Sequence, residues 1–301
     1  MTPHTLALWL LVLGNLAASL SDVAVKLLDG EVSPFQYMFL RQLISLVVIL
    51  PMWWRQPRAQ RALLNPGVTT LRAHLVLIGS GCMLVAITYL PLATANAVFY
   101  AAPLLMLPLS IVLLKETPGL GKVVATVLGF IGVLVVLRPS QFHWAAMFAL
   151  GTAMTLALFN ILARKIPARQ TVVTTLMWTS LFSLPLSATL TLWRWHPMTL
   201  EQIGWVASSA LLVLTYNGLA VAAYRRAPAS QIALAEYSGL IFVALMGMWW
   251  FNEMPDSLTW LGIALIVLPL LPVRILKRAS QAGRHLLRPK PPSDKRKNIT
   301  D

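Results

Sequence analysis

The chain is short of charge. Only 11% of its 301 residues are Asp, Glu, Lys or Arg, where a soluble domain carries about 25%. Acid is the scarcer sign, with ten Asp and Glu against 24 Lys and Arg. With 57% hydrophobic residues, this deficit argues against an ordinary water-soluble domain and makes lipid the main solvent. Cysteine is nearly absent. Cys82 stands alone in an apolar run, which excludes a disulfide framework and a cysteine metal site within one chain. Catalytic signatures are missing too. Gly119-Leu120-Gly121-Lys122 is too short for a phosphate-binding loop and lacks its Ser or Thr. There is no H-E-x-x-H and no G-x-S-x-G, and the five histidines are scattered. ATP-driven transport by this chain alone and zinc or serine hydrolysis are therefore not expected. Neither is an enzyme, a cofactor or a bound metal.

What the chain does have is a repeat. Gly14, Gly81, Pro91, Tyr100, Glu116 and Pro118 each find the same residue type 137 positions later. The partners are Gly151, Gly218, Pro228, Tyr237, Glu253 and Pro255, without a gap. Such an offset implies duplication of one unit, a common build for secondary transporters.

A spanning helix needs roughly 20 apolar residues. That ruler predicts ten helices, near 6–28, 34–53, 73–90, 93–114, 120–137, 144–163, 172–193, 203–224, 229–251 and 258–276. Breakers separate them, among them Asn65-Pro66-Gly67, Leu90-Pro91-Leu92 and Met254-Pro255. Charge tests the count. Twenty of the 24 basic residues fall on the side of the even-numbered connections and the termini, three fall opposite (Lys26, Arg138, Arg194), and Arg41 is inside a span. The net charge of +14 thus follows the positive-inside pattern, and nucleic acid is not an expected partner.

Five spans per copy is odd, so the second copy enters the membrane from the opposite face. The expected architecture is all-α and polytopic: ten transmembrane helices as two inverted five-helix repeats, 1–138 and 139–276. Residues 277–301 read as a basic, disordered cytoplasmic tail attracted to anionic headgroups. The first span lacks a basic n-region and its removal would break the repeat, so it is expected to be retained.

Polar residues at membrane depth need a reason. Glu236, about seven residues into the ninth span, is suited to bind a cation or carry a proton, or else to make a structural hydrogen bond. Tyr237 and Tyr100 flank a central cavity or pack as plain aromatics. Asp22 and Lys26 share a helix face, and Arg41 lies at similar depth. The three form an ion-paired cluster, either a neutralised set or an outer gate. Asn15 and Ser19 share a face of the first span, and Asn96 and Tyr100 share one of the fourth. The Ala93, Ala97, Ala101 stripe is structural, and the Trp pairs near span ends fit an interfacial belt.

Tyr89-Leu90-Pro91-Leu92-Ala93-Thr94-Ala95-Asn96, then Pro103, then Glu116 and Pro118, resembles the helix-four region of the EamA family of the drug/metabolite transporter superfamily. The second copy resembles it at Tyr224 to Gln231, then Glu253, Pro255 and Gly262. Where Gly262 follows Glu253 by nine residues, Ala125 follows Glu116, a departure from the family pattern. The resemblance implies a ten-helix bacterial inner-membrane carrier with a cavity lined by spans one, three, four, six, eight and nine. It makes Glu116 and Glu253 fold determinants at helix ends.

The expected function is export of a small metabolite, an amino acid or related compound, by alternating access, with both termini cytoplasmic. Its partners are the solute, the bilayer and a coupling proton. Glu236, Tyr237, Tyr100, Asn96, Asn15 and Asn160 are the expected binding residues, with Asp22, Lys26 and Arg41 as gate or ion pair. The same fold working as an importer or uncoupled facilitator, or less readily as a sensor, is the alternative.

Overall fold

The computed structural model describes residues 3–115, 120–137, 143–163, 165–167, 169–193, 195–224, 226, 235 and 238–268. Glu236, Tyr237, Glu116 and the tail lie outside the described residues.

The helices, in chain order, are α1 (Pro3–Lys26), α2 (Pro34–Trp54), the single turn α3 (Arg58–Arg61), α4 (Pro66–Tyr89), α5 (Leu92–Phe99), α6 (Ala102–Leu114) and α7 (Leu120–Leu137). Then come α8 (Ala145–Ala163), α9 (Val172–Trp193), α10 (Leu200–Tyr224), α11 (Ser238–Phe251) and α12 (Ser257–Val267). Among the described residues no strand occurs. Seven helical stretches are long and apolar enough to cross a membrane, counting α5 and α6 as one, Leu92–Leu113. Three shorter apolar helices, Val123–Leu137, Ser238–Phe251 and Ser257–Val267, accompany them.

Local chemistry sets the helix starts. Asn65 Oδ1 accepts from Val68 N at 3.2 Å, with Pro66 in the first turn of α4, an N-cap followed by a proline whose missing N–H is not needed there. The sequence reading took Asn65-Pro66 for a breaker and began this span at 73. The helix starts seven residues earlier and takes in Arg72. Thr199 and Gln202 close a capping box before α10, with bonds of 3.0 and 3.2 Å. Asp256 caps α12 through Thr259 N at 3.1 Å. The fourth span breaks at Tyr100 and Ala101, just before Pro103, rather than at Pro108, which lies inside α6.

Small residues let the helices approach. α1 packs on α10 where Gly14 faces Tyr216 and Leu219, and α4 on α8 where Gly79 faces Thr155 and Gly151 faces Cys82. α7 crosses α12 glycine to glycine at Gly132 and Gly262. α2 packs on α9, α11 on α1 and α5, and α8 on α5 and α6. The alanine stripe of α5, Ala93, Ala97 and the following Ala101, is buried. The outward face is apolar: Val112, Leu120, Leu192 and Trp249 are all exposed, as a lipid-solvated surface requires.

Candidate functional site

Asn15, Ser19, Asp22 and Lys26 fall on one face of α1. Their spacing of four, three and four residues is that of a helical stripe, and at 1.5 Å per residue it runs about 16 Å along the axis. The first two reach the start of α11 and the last two reach α5 and the ends of its neighbours. Asn15, 2% exposed, donates to Ala235 O at 2.7 Å and to Ser238 Oγ at 3.2 Å. Ser19 Oγ donates to Gly239 O at 3.2 Å. Asp22 Oδ2 accepts from Asn96 Nδ2 at 2.9 Å. Lys26 Nζ donates to Leu90 O at 2.8 Å and forms an ion pair with Glu253 Oε1. Interhelical hydrogen bonds of this kind contribute about 0.6–2 kcal/mol each at membrane depth.

Glu253 ties the top of this seam together. α11 ends in a left-handed residue, Asn252 at φ 51°, and Glu253 N donates back to Gly247 O at 3.0 Å. The left-handed residue ends the helix and reverses the chain, and the Glu253 side chain meets α5. There Glu253 Oε2 accepts from Leu92 N at 2.7 Å. Pro91, at the N-cap of α5, offers no side-chain cap, so a carboxylate from the other half satisfies an orphan N–H at the positive end of the helix. Lys26 lies 5.4 Å from the Phe251 ring centroid, which gives its ammonium a further contact.

Tyr100 sits at the middle of the seam. A side-chain carbon built on Gly239 would fall on the Tyr100 hydroxyl, so the glycine makes room for it. Asn15, Tyr100, Ser238 and Gly239 thus converge where α11 begins.

Arg72 forms a second feature on the seam between α4 and α8. It is 6% exposed, and its guanidinium carbon stands 3.9 Å from the Phe159 ring centroid. Its Nε has no hydrogen-bond partner. A buried ion pays several kcal/mol of desolvation, while a ring face returns about 0.5–2 kcal/mol.

The structure brings Asn15, Asn96 and Tyr100 to the seam with Asp22 and Lys26. Glu236 and Tyr237 lie outside the described residues, though Ala235 and Ser238 on either side of them both meet Asn15. Asn160 is exposed on α8 and joins none of these groups. The expected Asp22–Lys26–Arg41 cluster is present only in part: the Arg41 charge acts on Asp22, without a direct ion pair. Lys26 is drawn to Glu253 and Asp22 to Asn96, while Arg41 lies over the Tyr37 ring, one turn back on its own helix, at 5.9 Å. An apolar depression of about 350 Å³ on α11, lined by Phe242, Leu245, Met246, Trp249 and Trp250, holds none of the polar seam. The sequence reading missed the Glu253 partnership and Arg72. A Pro-X-start reading of Asn65-Pro66 would have placed Arg72 inside its helix.

Comparison with known proteins adds the family. The S-adenosylmethionine uptake transporter of Rickettsia prowazekii (strain Madrid E) is 26% identical over 92% of this chain and 95% of its own. The riboflavin transporter of Vibrio cholerae serotype O1 is 28% identical over 87% and 90%. The pseudopaline exporter CntI of Pseudomonas aeruginosa (strain PAO1) is 25% identical over 86% and 92%. A solved crystal structure is similar in fold over 95% of this chain and 99% of its own, at TM-score 0.51 and 19% identity. The sequence pattern of the EamA-like transporter family matches twice, over residues 5–138 and 143–273. The chain is a multi-pass membrane protein and belongs to the EamA-like transporter family.

Proposed function

We propose that the chain is a secondary transporter of the bacterial inner membrane that moves a small amphipathic metabolite, in net outward direction, by alternating access between two inverted five-helix halves. The observation that carries this reading is an exchange of helix partners. Advance each span by half the chain, and α1 on α10 becomes α8 on α4. Likewise α1 on α11 becomes α8 on α5 and α6, while α2 with α9, α7 with α12, and α5 with α11 map onto themselves. Such self-mapping is expected of two copies related by a pseudo-two-fold axis, and an odd number of spans per copy lays that axis in the membrane plane. The two family matches, one per half, support the same division at 138 and 139. The one-sided basic residues support cytoplasmic termini.

The polar seam of α1 supplies the solute path in this reading. Asn15, Tyr100 and Asn96 bind, Glu236 and Tyr237 complete the site beside Ala235 and Ser238, and Glu236 carries the coupling proton. Lys26, Asp22 and their partners form the outer gate, with Arg41 as a neighbouring charge. The relatives named above are named for uptake of S-adenosylmethionine, transport of riboflavin and export of pseudopaline, so both directions are measured.

The test is flux in sealed proteoliposomes loaded with a metabolite panel that includes S-adenosylmethionine, riboflavin and free amino acids, with and without a pH gradient. Selective loss of one compound class through wild type, driven by the gradient and absent in Glu236→Gln at equal protein level, is the expected result. Uptake without efflux would reverse the direction. Equal flux through Glu236→Gln would remove the proton role, and ligand binding with no movement across the bilayer would replace the carrier with a sensor.

A further inference from the structure

We infer that Arg72 is an anchor for an anionic group, a carboxylate or phosphate, carried by the solute into the seam between α4 and α8. The inference rests on the transporter reading for the identity of that ligand, but not for the site itself.

Arg72 carries an unmet electrostatic demand. Arg72 is 6% exposed, its Nε lacks an acceptor, and no hydrogen bond or ion pair joins it to another described residue. The helices packed against α4 are α1, α2, α5, α8 and α9. Between them they hold one carboxylate, Asp22, and Asn96 already occupies it. A guanidinium cannot shed its proton in compensation, so the missing counter-charge has to come from outside the described protein.

Geometry says what would suit it. The Phe159 face at 3.9 Å holds one face of the guanidinium and leaves its N–H edges free. An edge-presented fork matches the two oxygens of a carboxylate or phosphate. The close approaches of Gly79 to Thr155 and Gly151 to Cys82 hold α4 against α8. A phospholipid headgroup carries the same chemistry. Burial at a helix–helix seam favours the solute, because a lipid phosphate is met at the outer surface.

The test needs no knowledge of the solute. The purified full-length chain is unfolded thermally in a neutral detergent with sodium acetate or inorganic phosphate, against chloride at equal ionic strength. Wild type is expected to show saturable stabilisation by at least one oxyanion. Arg72→Gln should lose it. Arg72→Lys, which keeps the charge but not the fork, should bind about tenfold more weakly. Phe159→Leu, with Arg72 intact, reports on folding at the seam and should retain a response of reduced affinity. No oxyanion response in wild type, or an equal one in Arg72→Gln, overturns the inference. Stabilisation by added phosphatidylglycerol that acetate and phosphate fail to reproduce assigns Arg72 to lipid and overturns it too. Arg72-dependent oxyanion binding without flux under any gradient would remove the transport reading and leave the site. Flux with an Arg72-independent oxyanion response would do the reverse.

Discussion

Lys26 and Glu253 come from opposite halves of the chain and meet in an ion pair whose side chains are 12% and 18% exposed. The same carboxylate caps α5 through Leu92 N at 2.7 Å. One contact therefore joins α1, the α4–α5 turn and the α11–α12 loop. Removing either charge leaves the other poorly solvated. Lys26→Met or Glu253→Ala should each lower stability by about 3 kcal/mol. Exchanging the two residues should recover only part of the loss, since a lysine at 253 cannot accept from Leu92. Thermal unfolding in detergent reads this directly. A swap as stable as wild type would show that the cap contributes nothing.

Asp22 should couple more strongly to Asn96, its hydrogen-bond partner, than to Arg41, whose charge acts on it without a direct ion pair. A double-mutant cycle of Asp22→Ala with Asn96→Ala is expected to give about 1–2 kcal/mol of interaction. The cycle of Asp22→Asn with Arg41→Gln should give a smaller coupling, below about 1 kcal/mol. The reverse ranking would restore the three-residue cluster that spacing along the chain suggests.

Gly239 and Tyr100 compete for one volume. Gly239→Ala places a carbon where the Tyr100 hydroxyl sits and should destabilise by about 1–3 kcal/mol, the usual range for overpacking. Tyr100→Phe in the same chain should return part of that. If the double variant is no better than Gly239→Ala alone, the crowding lies elsewhere.

Glycines should divide sharply by what surrounds them. A carbon at Gly262 meets the Gly132 carbonyl at 2.9 Å and Val136 N at 3.1 Å, backbone atoms that cannot turn aside. Gly218 of α10 has nothing within 4 Å. Gly262→Ala should cost about 1–3 kcal/mol, and Gly218→Ala should gain about 0.5–1 kcal/mol from helix propensity. Melting temperatures of the two variants, measured side by side, check both signs.

Much of the fold was legible because a bilayer imposes a simple ruler. Length, apolarity and breakers found helix within each expected span, although the fourth is broken into α5 and α6 and seven stretches among the described residues are long and apolar enough to cross a membrane. The two-residue turn at Leu90 and Pro91 came out where the proline stood. The third span began too late because Asn-Pro ends structure in one context and starts a helix in another. Pairings across the chain were less legible. Spacing places Asp22 and Lys26 on one face but is silent on what faces them, and partners 64 or more residues away depend on packing. Glu253 was read as a determinant of fold, and its bond to Leu92 gives that reading a geometry. Its ion pair with Lys26 has no signal in a single sequence.

The latch at Lys26 is written into one copy only. The positions 137 residues after Asp22 and Lys26 are Phe159 and Ala163, both apolar, although Glu116 matches Glu253. Phe159 instead carries the cation Arg72 against its ring. In the transport cycle proposed above, one mouth would be closed by an opposed ion pair and the other by a cation on an aromatic face, so the carrier would not swing like a symmetric turnstile. Parting the ion pair takes work that salt screens, while a contact with a ring face involves no second formal charge to be screened. Raising ionic strength would then ease one half-cycle more than the other, a rectifying property inherited from unequal divergence of two copies.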